Sequence, residues 1–186
     1  MTASIFAMSA PVLLTERLSL RPWRLSDVEA VFAYASDPEF FRYLALLPVR
    51  TLEEEGRWID EQMSRDPETH PAWAITIGEV PIGGIHAPID AARGVAEMGY
   101  GVGRAHWGKG YATEAAAAVA NWLFANTDIE RLAATADTRN AGSWRVMEKL
   151  GMTREGVLRG DRVIRGERAD TVVYAILRHE WQAHRS

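Results

Sequence analysis

The sequence predicts an α+β fold in which a mixed, strongly twisted sheet of six or seven strands carries about four helices on its faces. Strand-like and helical patterns alternate along the chain, and one glycine-rich strand runs directly into an alanine-rich helix. The 186 residues, 47% of them hydrophobic and 25% charged, suffice for one domain with its own core. We expect a flexible lead-in over residues 1–12 and a single domain over residues 13–186.

The N-terminal part predicts one strand followed by two helices. Apolar and polar residues alternate over Leu14–Leu20, as in a half-buried strand. Ser26 and Glu29 have the spacing of a capping box and start a first helix, and Thr51 and Glu54 start a second in the same way. The first helix is expected to bury one stripe, formed by Val28, Val31, Phe32 and Ala35.

The next segment predicts a β-hairpin. Ala72–Ile77 and Val80–Ile85 are strand-like and flank a turn at Gly78. Pro81 has no backbone N–H and is expected at an edge or a bulge. A further turn over Ala91–Gly94 leads into the central strand.

The C-terminal half predicts three strands and one helix. The strands are Leu132–Ala136, Thr153–Val157 and Val172–Leu177. Ala141–Leu150 is helical and ends at Gly151, the residue type favoured just past a helix end.

The segment Arg159–Arg168 is rich in charge and glycine, which predicts a solvated hairpin tip. Its basic residues also suit a surface that faces a substrate or a second subunit. The sequence therefore leaves a homodimer open.

Composition argues against several classes of protein. The absence of cysteine excludes disulfides and thiolate sites and makes a cytoplasmic location the expectation. The five histidines lack ligand spacing, so we expect no metal. A net charge of −4 disfavours nucleic acid, and no apolar run approaches the ~20 residues that cross a membrane. The N-terminus has no basic residue before Arg17, unlike a secretory signal.

The central segment Glu97–Glu114 reads EMGYGVGRAHWGKGYATE and predicts an anion-binding loop. From Met98 to Gly103, large side chains alternate with glycines, which leaves a strand backbone that another group can approach closely. Gly108 and Gly110 permit positive φ, so that successive N–H groups can point into one concavity. The helix that follows adds the positive end of its dipole, which favours a phosphate. Its buried face is expected to be formed by Ala116, Val119, Ala120 and Leu123.

Other interpretations of this loop remain open from the residues alone. Gly103 to Gly110 spells G-x-x-x-x-G-K-G, one residue short of the Walker A pattern, but Gly110 has no hydroxyl for Mg²⁺. No G-x-G-x-x-G pattern is completed, which argues against a dinucleotide fold. A glycine-rich turn without any ligand is the remaining alternative.

The segment W-G-K-G-Y-A-T-E-A, directly after the strand E-M-G-Y-G-V, resembles the acyl-CoA-binding motif of the GNAT superfamily of N-acetyltransferases. The family pattern is Gln or Arg, two residues, Gly, one residue, then Gly or Ala. Gly110 and Ala112 match it, whereas Trp107 departs from the first position and would remove one side-chain contact to the cofactor.

Two further stretches are similar to the RimJ/RimL-like branch of that family. T-E-R-L-S-L-R-P-W-R-L-S-D at Thr15–Asp27, followed by S-D-P-E at Ser36–Glu39, resembles the opening of the branch. D-T-R-N-A-G-S-W-R-V-M-E-K-L-G-M at Asp137–Met152 resembles its N-x-x-S helix. The resemblance spans the chain from about Leu14 onward.

The resemblance implies that acetyl-CoA binds between two splayed central strands. Its pantetheine arm would bond to one exposed strand backbone, and its pyrophosphate would rest on the glycine loop and the helix N-terminus. The implied cofactor-binding residues are Tyr100, Gly101, Val102, Gly108, Lys109, Gly110, Tyr111, Ala112, Thr113 and Asn140.

The resemblance also suggests catalytic residues for direct attack by an amine. Glu97 lies near the usual position of the general base and could act through water; a surface carboxylate is the alternative. The tyrosine that many GNAT enzymes use as general acid is Met147 here, which leaves Ser143 or a water. Asn140 and Ser143 also suit simple helix capping. Glu114 and Arg139 are expected to be structural.

The acceptor is implied only as a class. Phe40, Phe41 and Tyr43 occupy the region that helps form the acceptor side of the cleft in this family; core packing is the alternative for at least one of them. An α-amino group, with a pKa of about 7.7 to 8.0, is easier to deprotonate than lysine near 10.4 by about 3.5 kcal/mol. The expected partner is an amine-bearing protein, peptide or small molecule. The alternative function is a non-catalytic acyl-CoA sensor, suggested by Met147 and Trp107.

Overall fold

A computed structural model describes residues 10–45, 47–49 and 51–183 of the chain. These residues form ten strands and five α-helices, which confirms the α+β class. The strands are β1 (Leu13–Leu14), β2 (Ser19–Arg21), β3 (Ala72–Ile77), β4 (Val80–His86), β5 (Ile89–Asp90), β6 (Val95–Glu97), β7 (Gly99–Val102), β8 (Arg131–Asp137), β9 (Thr153–Ile164) and β10 (Glu167–Leu177). The helices are α1 (Val28–Ala35), α2 (Leu52–Ser64), α3 (Tyr111–Asn126), α4 (Ala141–Lys149) and α5 (Arg178–Ala183).

The strands divide into two five-stranded sheets rather than one sheet of six or seven. The first has the order β1-β2-β3-β4-β7 and is antiparallel throughout. The second has the order β5-β6-β8-β10-β9 and contains one parallel pair, β6 with β8. β6 and β7 are consecutive in the chain, so the two sheets meet where the central strand passes from one to the other.

The passage between the sheets occurs at Met98. Up to this point the strand pairs with β8, with Glu97 opposite Ala133, and the Met98 N–H donates to the Ala133 carbonyl at 2.8 Å. From Gly99 onward the strand pairs with β4 instead. β7 and β8 therefore diverge, which confirms the expected splay of the central strands.

Helix α3 packs into the core through the face that the sequence predicts. Ala116, Val119, Ala120 and Leu123 are all fully buried. Small alanines allow a helix to pack close to a sheet, and α3 is thereby fixed with its N-terminus at the end of β7. This packing sets the position of the glycine loop.

The first predicted strand is wrong in detail. Leu14–Leu20 forms a tight hairpin of β1 and β2 rather than one continuous strand. The Thr15 hydroxyl oxygen accepts from the Leu18 N–H at 2.9 Å, which closes the turn. A side-chain hydrogen bond thus overrides the strand-like alternation of the sequence.

The cap of the first helix is also different from the predicted box at Ser26 and Glu29. Asp27 accepts from the Arg24 N–H at 2.9 Å, and a single 3₁₀ turn, Leu25–Asp27, precedes α1. Asp27 is buried and pairs with the Arg21 guanidinium at 2.7 Å. The ion pair holds this carboxylate at the helix start, so Ser26 is not the cap. By contrast, the Thr51 cap on α2 is confirmed, with its hydroxyl accepting from the Glu54 N–H.

The last hairpin is longer than predicted. Arg159–Arg168 is mostly strand, because β9 continues to Ile164 and β10 begins at Glu167. Only Arg165 and Gly166 form the tip, both with positive φ. Charged side chains on a two-stranded arm are solvated while the backbone hydrogen bonds between β9 and β10 stay intact. The high charge of the segment therefore did not distinguish a strand from a loop. The β3–β4 hairpin is confirmed, with Pro81 at a bulge.

The expected lead-in, residues 1–12, falls largely outside the described residues. Of its described part, Ala10 is buried and the Pro11 carbonyl accepts from the Trp73 indole at 2.7 Å. Across residues 10–45, 47–49 and 51–183, no helix is long and apolar enough to span a bilayer.

Candidate active site

A cavity of about 580 Å³ opens at the divergence of β7 and β8. One wall comes from β4, β7, β8 and the start of α4, and the other from α1, α2 and the segment between them. Glu97, Tyr100, Asn140 and Ser143 all line this cavity, as do Phe40, Phe41 and Tyr43. The fold therefore gathers the predicted catalytic and acceptor-side residues around one space.

The backbone of β7 presents alternate residues to the gap between the strands. The Met98 N–H bonds to β8, and the Gly103 N–H bonds to Ile82 of β4. Because backbone groups alternate sides along a strand, those of Tyr100 and Val102 face the gap, whereas those of Gly101 face β4. Of the three strand residues predicted to bind the cofactor arm, two are oriented for it through their backbone.

Trp107 has a structural role that the motif comparison did not indicate. Its indole N–H donates to the Val102 carbonyl at 2.5 Å. This bond ties the loop to the end of β7 and uses one acceptor on the gap side of the strand. The side chain remains 49% exposed, so the residue stays at the rim.

The glycines of the central strands accommodate the protein's own aromatic side chains. A Cβ at Gly101 would lie 3.0 Å from the Phe40 ring, and one at Gly84 would lie 2.7 Å from the Trp23 ring. The packed Trp23 and Phe40 rings therefore occupy the space that the missing Cβ atoms of these glycines leave. The prediction that the bare strand serves a ligand is therefore incomplete, because the same glycines shape the acceptor cavity.

The loop before α3 adopts the predicted conformation. Gly108 and Gly110 have φ of +72° and +82°, a region that residues with a Cβ disfavour. Gly110 is the N-cap of α3 and offers no capping side chain, so the first-turn N–H groups of Tyr111, Ala112 and Thr113 are left for an anion. Lys109 is exposed beside them.

Arg17 is a second cation at this loop and was missed by the sequence analysis. Its guanidinium donates to the Lys109 carbonyl at 3.0 Å and lies 4.7 Å from the centre of the Tyr111 ring. Glu114 holds it in place at 2.6 Å, which confirms the structural role expected for that residue. Burial alone raises the pKa of Glu114, but hydrogen bonds from Thr15 and Arg17 outweigh it and lower the pKa.

At the start of α4, Asn140 and Ser143 form the expected cap. The Asn140 side-chain oxygen accepts from the Ser143 N–H at 3.2 Å. Tyr100 reaches across the gap, and its hydroxyl donates to the Ser143 carbonyl at 2.8 Å and lies 3.4 Å from the Ser143 hydroxyl. Burial raises the pKa of Tyr100 to about 12, which keeps it protonated. Met147 is buried in the core, so no proton donor stands at the usual position.

Glu97 is exposed to the cavity and held by a short chain of hydrogen bonds. The Thr135 hydroxyl donates to Glu97 at 3.2 Å, and the Arg162 guanidinium donates to the Thr135 oxygen at 2.7 Å. The carboxylate is thereby oriented while part of it stays accessible to water. This arrangement suits a base that acts through a water molecule.

His86 is a titratable group at the same cavity that the sequence analysis missed. It lies opposite Gly99 on β4, and a Cβ at Gly99 would lie 2.6 Å from the imidazole. Although more than a third of the residue is accessible, loss of water around the ring lowers its pKa, and Arg65 lowers it further. The imidazole is therefore neutral at pH 7, the form that accepts a proton. A single histidine without a motif gave no signal in the sequence.

The acceptor side of the cavity is aromatic but contains one buried carboxylate. Trp23 and Trp58 make an edge-to-face contact with ring centres 5.2 Å apart. Glu55, on α2, is only 1% exposed and lines the cavity, together with the buried Gln62. Glu55 gave no signal in the sequence, because three consecutive glutamates in a first helical turn are typical of a solvent-exposed face.

The sequence matches a known family of proteins over most of its length. A family model described as an acetyltransferase (GNAT) domain matches residues 17–153. The chain belongs to the GNAT acetyltransferase family. Among curated relatives of this GNAT protein, the N-acetyltransferase p20 of Bacillus licheniformis is 31% identical and covers 91% of this chain and 97% of its own. YoaA of Bacillus subtilis, also named an N-acetyltransferase, is 33% identical, with coverage of 90% and 97%.

Solved structures agree with the family. A GNAT acetyltransferase from Bacillus anthracis superposes with a TM-score of 0.82 at 30% identity, covering 91% of this chain and all of its own. Two structures under 25% identical share the fold alone. They are MccE, solved with acetyl-CoA and AMP (22%, TM-score 0.80, coverage 88% and 93%), and the ribosomal L7/L12 α-N-protein acetyltransferase RimL, solved with coenzyme A (18%, 0.82, 90% and 98%). The GNAT protein is therefore an acetyl-CoA-dependent N-acetyltransferase.

Proposed function

We propose that the enzyme acetylates a primary amine that enters the aromatic side of the cavity and attacks acetyl-CoA held in the gap between β7 and β8. The observation that carries this proposal is the shared cavity. Tyr100, Asn140 and Ser143 line it from the gap, and the aromatic residues of the acceptor side line it from α1 and α2. A donor and an acceptor can thus meet in one shared space.

The residues at the gap fit acetyl-CoA. Backbone groups of Tyr100 and Val102 suit an extended pantetheine arm, since they face the gap in the manner of an unpaired strand edge. The N–H groups from Gly108 to Thr113 suit the pyrophosphate, with Lys109 and Arg17 adding positive charge. Asn140 caps α4 and lines the same space, so it can also contact the arm.

In the proposed reaction the amine nitrogen attacks the acetyl carbonyl carbon, and the carbon–sulfur bond then breaks. Glu97 accepts the proton that the nitrogen loses, through a water molecule. The Ser143 hydroxyl donates a hydrogen bond to the departing sulfur. Because its pKa is raised, Tyr100 keeps its proton and does not act as the general acid. Its hydroxyl instead donates a hydrogen bond that positions Ser143. Neutral His86 is the second base that the cavity offers.

The acceptor belongs to the class of primary amines, either the N-terminal α-amine of a protein or peptide, or a small amine. The similarity of Asn140 and Ser143 to the RimJ/RimL-like N-x-x-S helix supports that branch, and RimL shares the fold. A sensor without catalysis is not favoured, because the relatives are named N-acetyltransferases.

The proposal is tested first by ligand binding. Acetyl-CoA is expected to raise the melting temperature, since a ligand at 100 times its Kd stabilises by about 2.7 kcal/mol. MgATP is the matched control and should leave the melting temperature unchanged, because the loop lacks the Walker hydroxyl. A shift with MgATP alone would contradict the proposed donor site.

Turnover is tested by detection of the free thiol of CoA across a panel of small amines and peptides with free N-termini. Release of CoA that depends on an added amine is the expected result. Binding of acetyl-CoA without turnover of any amine would favour the sensor. A homodimer and a cytoplasmic location stay predictions, and light scattering of the purified chain tests the first.

A further inference from the structure

Glu55 is a buried carboxylate for which the described part of the chain offers no hydrogen-bond or ion-pair partner. It lies in the first turn of α2, is 1% exposed and lines the cavity. Its Oε2 atom is inaccessible and accepts no hydrogen bond from the residues that the structure describes. The neighbouring Glu53 instead pairs with Arg57 on the exposed face of the helix. Of these two glutamates, only Glu55 is buried.

Burial of an unpaired carboxylate is costly, so a structural purpose would require a compensating cation. The nearest buried ion pair does not supply one, because the Arg21 guanidinium is engaged by Asp27 through two hydrogen bonds of 2.7 and 2.8 Å. Tyr34 is packed nearby, and the charge of Glu55 adds to the burial that raises the Tyr34 pKa. Loss of water raises the pKa of Glu55 itself to about 7. Within residues 10–45, 47–49 and 51–183, no cation pairs with Glu55, so its carboxylate is not part of a satisfied ion pair.

The surroundings of Glu55 favour a positively charged ligand with an apolar body. Trp58 and Gln62 follow it at positions i+3 and i+7 of α2 and line the same cavity. Trp58 and Trp23 offer aromatic faces, which attract cations, and the Gln62 amide oxygen can accept a hydrogen bond. Apolar walls with a few polar groups are typical of a small-molecule site, and a volume of about 580 Å³ lies in the usual range. Asp137 is also buried at this cavity, but it is already paired with Arg139.

We propose that Glu55 binds a second cationic nitrogen of the acceptor, so that the substrate class is a small diamine with an aromatic or aliphatic body. One amine of the diamine is acetylated beside Glu97, and the other nitrogen pairs with Glu55. This inference rests on the proposed function and narrows its acceptor from primary amines in general. It excludes a monoamine or a protein N-terminus as the preferred substrate.

The test compares matched substrates that differ by one nitrogen. p-Xylylenediamine and 4-methylbenzylamine have the same ring and the same reacting aminomethyl group. At a pH of about 8, where Glu55 is ionised, the wild type is expected to prefer the diamine by about 10- to 100-fold in kcat/KM. This factor corresponds to the free energy of one hydrogen bond to a charged group. Glu55→Gln should abolish that preference. Glu61→Gln, an exposed position on the same helix, is the control and should keep the preference.

Equal kcat/KM values for the two amines in the wild type, or an unchanged preference in Glu55→Gln, would overturn the inference. So would a panel in which peptides are the better substrates. Calorimetric binding of the diamine in the presence of CoA is a second readout, which is independent of turnover. If no amine is turned over, the proposed function fails, but loss of diamine binding in Glu55→Gln alone would still support the assignment of Glu55. Thermal melting of each variant verifies that it is folded.

Discussion

At the scale of single residues, Glu55 links stability to pH. Its pKa is raised from about 4.5 to about 7 by burial, so the folded state holds this proton more tightly than the unfolded chain. Folding is therefore favoured below about pH 4.5 and loses stability as the pH rises toward 7 and the carboxyl ionises. The lost stability is of the order of 3 kcal/mol, at 1.36 kcal/mol per pKa unit.

Glu55→Gln is therefore expected to stabilise the protein at pH 8 and to change little at pH 4.5. Urea unfolding at the two pH values measures the difference. Glu61→Gln is the matched control, because its carboxylate is exposed and paired with Arg65. An equal effect of Glu55→Gln at both pH values would show that the carboxyl titrates normally.

Two residues at the cavity compete for the role of base, and variants separate them. Glu97→Gln is expected to lower kcat by roughly 10²-fold and to change the pH-rate profile. His86→Gln should have the smaller effect if Glu97 is the base. The reverse order, or an unchanged profile in Glu97→Gln, would move the assignment to His86, whose lowered pKa also keeps it neutral at pH 7.

At the scale of elements, the loop before α3 combines a backbone requirement with a ligand site. Gly110→Ala places a Cβ at φ of +82° and 3.4 Å from the Arg17 guanidinium. A positive φ costs about 1 to 2 kcal/mol for a residue with a side chain. We expect this loss of stability together with a higher KM for acetyl-CoA, because the N–H groups of the loop are displaced.

Gly166→Ala is the matched control for this variant. Gly166 has φ of +86° at the tip of the β9–β10 hairpin, and a Cβ there would meet no atom within 4 Å. Its cost in urea unfolding should be similar to that of Gly110→Ala, without any change in the KM for acetyl-CoA. Equal KM values for both variants would show that the loop does not bind the donor.

At the scale of the whole molecule, the donor is expected to fill the space between the two sheets. Backbone groups of Tyr100 and Val102 face that space, whereas Gly101 already faces β4. Acetyl-CoA should therefore slow amide exchange at Tyr100, at Val102 or at both, and leave Gly101 unchanged. Residue-resolved hydrogen exchange by NMR measures this alternation. Uniform slowing along β7 would indicate general stabilisation instead of direct contact.

Most features that depend on short-range interactions were predicted correctly from the sequence. The α3 stripe, the Thr51 cap, the β3–β4 hairpin and the Gly151 helix end all depend on neighbours within a few residues, and all are confirmed. The β1–β2 turn and the cap of α1 were predicted wrongly. Asp27 was not recognised as a cap because its partner Arg21 is brought to it by the β2 strand, outside any capping pattern.

The sequence by itself determined the class of fold, the positive-φ loop before α3 and the family resemblance, because each rests on local spacing and residue type. Only the tertiary structure decided that Glu55 and His86 share a cavity with Glu97, that Arg17 supports the loop, and that aromatic rings cover the central glycines. The physical reason is that burial and desolvation are properties of a whole packed environment. A carboxylate on an ordinary amphipathic helix becomes a candidate binding group when the fold buries it away from water and, among the described residues, leaves it unpaired.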